Sequence, residues 1–213
     1  SRESFLLANN LLLVVAMSMV LLGTLYPLFM DALKGVKMSV GTPYFDWLFY
    51  ILMSPALFLM AIGPMASWRV TTVPSLAKRL KWAAASAVVC AIVVPYAMGK
   101  WTPALAFGIL LAAWIIGATI VALYLRLQAA PQQGIIPKLR GNSSSYYGMH
   151  CAHVGVAVFV IGVTMVKGYE SEKDVRLSPG EVVEQGGYSF KFIKLETVPG
   201  PNFTGLRGTF EVS

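Results

Sequence analysis

The sequence is poor in the residues that build most catalytic sites. Cysteine occurs only at Cys90 and Cys151, each inside an apolar run. No CxxC or CxxCH pair exists, which argues against a disulfide framework, a zinc site, a thiol relay and covalent attachment of a c-type haem. Both cysteines read as buried small hydrophobes. Histidine is equally scarce, at His150 and His153 alone. No apolar run places an Asp or Glu at its middle, so an intramembrane proton relay would lack a carboxylate partner, which weakens a transporter reading. Internal repeats, low-complexity tracts, heptad arrays and phosphate-binding glycine loops are also missing.

Hydrophobic residues are what the chain has instead. They make up 56% of its 213 residues, with a mean hydropathy of +0.65. A soluble domain holds about 45–50% even with glycine counted. The composition identifies a polytopic membrane protein. The expected architecture is an all-α bundle of five spans, at residues 5–30, 47–68, 82–98, 101–125 and 146–167. Each is near the roughly 20 residues that cross a bilayer. Trp47, Trp68, Trp82, Trp101 and the pair Tyr146 and Tyr147 sit near span ends, where amphipathic rings favour the headgroup level. Trp114 is mid-span and reads as a lipid-facing or packing residue. Pro27, Pro55, Pro64 and Pro95 are expected to kink or end helices.

The net charge of +7 is confined to short loops and forms no stripe, so it argues for topology and against nucleic acid. Arg2, Arg69, Lys78, Arg79, Lys81, Arg126, Lys138 and Arg140 fall on one face. Lys34, Lys37, Lys100 and Lys167 fall on the other. The positive-inside rule makes the richer face cytoplasmic. The amino end is then cytoplasmic, and the tail is outside.

Residues 1–167 thus form the membrane region and 168–213 an aqueous segment, which opens with Glu170, Glu172, Lys173 and Asp174. Gly186-Gly187 separates Glu181–Val183 from Tyr188–Phe192, the pattern of a hairpin. Thr209–Val212 is expected to add a strand. So short a β segment buries little, and the absence of an initial methionine also leads us to expect a piece of a longer protein. Asn202-Phe203-Thr204 has the form of a glycosylation sequon. Asn9 and Asn10, near the inner end of the first span, suit hydrogen bonds to a neighbouring helix.

Both histidines lie in Tyr146–Lys167, and no charge occurs between Arg140 and Lys167. Intramembrane histidine is costly and marks a functional site by default. Gly148, Ala152, Gly155, Ala157 and Gly162 thin this helix, which lets a helix or a flat cofactor approach. Axial ligation of haem by imidazole is one use, and a satisfied structural histidine is the other. Three residues apart on one helix, His150 and His153 project from the same side. They cannot take opposite faces of one porphyrin, so a bis-histidine site needs a second helix.

Several spaced motifs carry a resemblance. Gly23-Thr24-Leu25-Tyr26-Pro27, Ser39-Val40-Gly41-Thr42-Pro43-Tyr44-Phe45, Gly63-Pro64 with Trp68-Arg69, and Ala152-His153-Val154-Gly155-Val156-Ala157 resemble the later part of the CcmF-type cytochrome c haem lyase. So do Ser1-Arg2-Glu3, Asn9-Asn10, and the tail from Tyr169-Glu170 through Val175-Arg176-Leu177 to Gly200-Pro201-Asn202-Phe203.

The resemblance implies haem handling at the outer face of the bacterial inner membrane. It ends in thioether bonds between haem vinyl groups and the two cysteines of a CxxCH apocytochrome c. It implies a transmembrane b-type haem held by two histidines and acting as an electron relay. His153 matches the second of these and would bind the haem iron, while His150 matches no ligand. No catalytic residue is implied here, because the family's external haem-handling segment lies upstream. The implied partners are a haem-carrier protein, apocytochrome c and other maturation subunits of the membrane, with a periplasmic tail. Two other readings remain: a quinol-linked electron-transfer subunit without lyase activity, and a cofactor-free transporter or assembly scaffold.

Overall fold

In the computed structural model, residues 2–66, 72–128 and 134–213 are described. Trp68, Arg69 and the side chain of Lys138 lie outside these residues. Among the described residues, five helices are long and apolar enough to cross a membrane. They are α1 (Arg2–Lys34), α2 (Thr42–Met65), α3 (Val73–Ala97), α4 (Pro103–Gln128) and α6 (Ser144–Tyr169), with a short α5 (Ile135–Arg140) between the last two. The fold is an all-α membrane bundle followed by an antiparallel β segment. Residues 1–168 and 169–213 form separate compact units.

The largest departure from the expected spans is α3, which starts at Val73 rather than Trp82. Lys78, Arg79 and Lys81 do not end the helix. Leu76, Leu80, Ala83, Ala87 and Ala91 are all buried and continue one stripe at helical spacing through the basic turns. The α2 helix begins at Thr42-Pro43, where proline at the first helical turn costs no hydrogen bond. It passes through a π-helical turn at Phe49–Met53 just before Pro55. Pro27 and Pro95 lie inside α1 and α3, which continue past them.

Packing centres on α3 and α4, joined by a short turn at Gly99, whose φ of +80° suits glycine. A Cβ at Gly117 would lie 3.2 Å from the Cα of Ala83. The two backbones approach closely because both surfaces are small. Trp114 is buried, stacks on Phe58 at 5.5 Å, and donates its indole N–H to the Phe58 carbonyl at 3.2 Å. It is a packing residue that locks α4 to α2.

Against α1, Tyr44 donates its hydroxyl to the Met19 carbonyl at 2.9 Å. Its ring occupies the space a side chain at Gly23 would need. These contacts give the Gly23 and Tyr44 motifs a structural reason. The α6 helix runs beside α4, with Gly108 against Thr164 and Gly168 against Leu105, and Ala157 is fully buried in the shared core.

In the β unit, β1 (Val182–Gln185), β2 (Tyr188–Pro199) and β3 (Thr204–Val212) pair antiparallel in that order. Gly186 and Gly187 have φ of +63° and +86°, the backbone of a tight two-residue hairpin turn. The third strand is longer than the sequence suggested, because a bulge between Phe192 and Lys194 resets the register and lets pairing continue to Pro199 and Thr204. Arg207 and Lys194 flank Glu196 at 3.9 and 2.8 Å on one face. Phe192 is buried and packs on Phe210 at 5.0 Å.

Candidate functional site

The two histidines project from one side of α6 but have different surroundings. His153 is half-buried, and its Nδ1 lies 2.7 Å from the Met149 carbonyl, one turn earlier. A carbonyl only accepts, so Nδ1 carries the proton and Nε2 carries the lone pair. Histidines that bind metals commonly make this kind of second hydrogen bond, which fixes tautomer and ring orientation. The geometry therefore presents one basic nitrogen away from the helix backbone.

His150 is the more buried of the two, at 8% exposure. Neither of its ring nitrogens has a hydrogen-bond partner among the described residues. Its ring meets the edge of Tyr146 at 4.5 Å, and the Arg126 guanidinium lies 5.9 Å from the Tyr146 ring. A buried imidazole without partners is costly, and here aromatic contact holds it.

Around this turn runs a polar chain that joins the carboxy end of α4 to the start of α6. Arg126 donates to Asn142 at 2.9 Å, Asn142 donates to the Tyr147 hydroxyl at 3.2 Å, and Tyr147 donates to the Leu139 carbonyl at 2.6 Å. Ser143 caps α6 through the Tyr146 amide at 3.2 Å. Sequence reasoning missed this network. The turn-forming Gly141-Asn142-Ser143 directly before the apolar run was the available signal.

The small residues divide. Ala157 faces the bundle core, whereas Gly148, Ala152, Gly155 and Gly162 are exposed, and a Cβ at any of the three glycines would meet nothing within 4 Å. Cys151 is exposed as well, a correction to its expected burial: its position on α6 points away from the bundle. No cluster of three or more His, Cys, Asp or Glu that could hold a metal ion exists among the described residues. Asn9 reaches a partly buried position with its Oδ1 unpartnered.

Comparison with known proteins follows the same lines. Residues 168–213 match a family model described as CcmF C-terminal beta-sandwich. Over 212 residues the chain is 42% identical to the cytochrome c-type biogenesis protein CcmF of Pseudomonas fluorescens. Over 214 residues it is 35% identical to that of Escherichia coli strain K12. Each match covers 100% of this chain and 32% of the relative, so the chain spans about a third of the length of the curated relatives it matches. A solved structure of the cytochrome c haem lyase CcmF aligns over 100% of this chain and 33% of its own, with a TM-score of 0.63 at 21% identity. That likeness shows the fold. The resemblance to CcmF carried by the spaced motifs is borne out along the whole chain.

Proposed function

From this full-length likeness to a third of CcmF, we propose that the chain is the later portion of a bacterial cytochrome c haem lyase, in which His153 would hold the iron of a transmembrane b-type haem. One observation carries the ligand assignment: Nδ1 of His153 is committed to the Met149 carbonyl, so Nε2 is free to bind iron. An imidazole donor in an apolar helix suits haem iron, and a second protein ligand would have to come from another helix. His150 is not that ligand, because it stands three residues away on the same side. A haem held by His153 would supply one-electron chemistry. This chain's part is to hold the imidazole in one tautomer, fix its orientation through the helix, and keep water away with apolar spans.

Along the helix axis His153 lies roughly 9 Å from Tyr147, at about 1.5 Å per residue. On the proposed orientation, with Arg2, Lys78, Arg79, Lys81, Arg126 and Arg140 cytoplasmic, this sets the ligand in the inner half of the inner membrane. The β unit then lies in the periplasm, where a haem-carrier protein, apocytochrome c and other maturation subunits would be met. The product is haem joined by thioether bonds to a CxxCH apocytochrome.

Cells carrying the full-length protein test this reading. His153→Ala should abolish holo-cytochrome c, and a cysteine placed by Gly180→Cys should react with an impermeant thiol reagent from the periplasmic side. Normal maturation in His153→Ala contradicts the ligand role. Labelling of Gly180→Cys only after the cytoplasm is opened contradicts the orientation.

A further inference from the structure

The first turns of α3 carry a concentration of positive charge that bears on the proposed orientation but takes no part in the proposed haem site. Lys78, Arg79 and Lys81 are all exposed, while Leu76 and Leu80 turn inward and are buried. At about 3.6 residues per turn Lys78 and Lys81 therefore stand on the outer face of the helix, with Arg79 on its flank. Lys78 and Lys81, three residues apart, are neighbours on that face, and like charges so placed repel. No Asp or Glu occurs anywhere between Asp46 and Glu170, and among the described residues these three cations form no ion pair.

The face also has an apolar edge. Trp82 is 72% exposed, and the Lys81 ammonium sits 5.2 Å from the centre of its ring. From Trp82 onward the helix is uncharged to its end at Ala97. Amphipathic indoles favour the headgroup level, and long basic stems reach from an apolar helix toward the interface.

We propose that Lys78, Arg79, Lys81 and Trp82 form a binding surface for the phosphodiester headgroup of an anionic phospholipid. The charge is complementary to a phosphate. The indole lies beside the glycerol level, and the buried Leu76 and Leu80 stop the helix from rotating the cations away. Such a surface can bind a headgroup in either leaflet and needs no haem.

The test is native mass spectrometry of the full-length protein titrated with phosphatidylglycerol or phosphatidylcholine. The wild type should prefer phosphatidylglycerol, and each charge removed by Lys78→Gln, Arg79→Gln or Lys81→Gln should weaken that binding by about fivefold. Lys78→Arg with Lys81→Arg should retain it. Combining all three glutamine substitutions should abolish the preference, and if that variant fails to fold the single variants still decide. Unchanged phosphatidylglycerol binding in the glutamine variants overturns the proposal, as does equal affinity for phosphatidylcholine. Full displacement of the lipid by millimolar inorganic phosphate also overturns it, since the site would then be one for the free ion.

Discussion

The α3–α4 pair and the histidine helix α6 use the same kind of residue to opposite ends. In α3 and α4, Ala83 and Gly117 bring two backbones together, and 39% of the apolar window of α4 is buried. In α6, three glycines face open space, and only 11% of its window is buried. Small residues in a membrane helix therefore do not by themselves report packing. What distinguishes the two is whether a partner of matching shape lies opposite. For α6, no such partner lies opposite the glycine face among the described residues, and both histidines sit on the other, bundle-facing side.

The contrast is breakable by mutation, most severely at Trp114. Trp114→Ala removes the stack on Phe58 and the indole hydrogen bond, and should destabilise the bundle by about 3–5 kcal/mol, read as a lower midpoint in a detergent melt. Equal stability would mean that α2 and α4 are held elsewhere. Gly117→Leu should cost about 1–3 kcal/mol by overpacking. Gly148→Leu should leave the same melt unchanged, because nothing described lies within 4 Å of a Cβ added there. If the two leucine variants melt alike, the distinction between the closed and open glycine faces is wrong.

Smaller effects are expected elsewhere. Gly187→Ala places a side chain at φ of +86° and should cost the hairpin about 1–2 kcal/mol, seen as faster proteolysis of the β unit in the intact protein. Lys167→Ala removes a 3.8 Å ion pair to Asp46 between two roughly half-exposed side chains. Such a pair is worth less than about 1 kcal/mol, so the melt should hardly move.

Which parts could be read from sequence follows from the same physics. Five apolar runs were visible because each is long and nearly uncharged. The start of α3 was not, since Lys78, Arg79 and Lys81 look like a loop until Leu76 and Leu80 are placed on the buried stripe. The π turn at Phe49–Met53 and the bulge beside Phe192 leave no period in the sequence. Gly186-Gly187 announced its hairpin because only glycine takes that backbone cheaply. Both histidines were conspicuous in an apolar run. That His150 is the buried one depends on Tyr146 and its surroundings, which no spacing reveals. The orienting hydrogen bond of His153 needed coordinates too.

The central claim is that His153, and not the more buried His150, presents a free nitrogen to iron. Visible spectra of the purified full-length protein test it most directly, comparing wild type, His153→Ala and His150→Ala. The account predicts that His153→Ala loses the b-type absorbance and regains it with exogenous imidazole, while His150→Ala keeps it. Full haem retention in His153→Ala, or equal loss in both variants, would contradict the assignment.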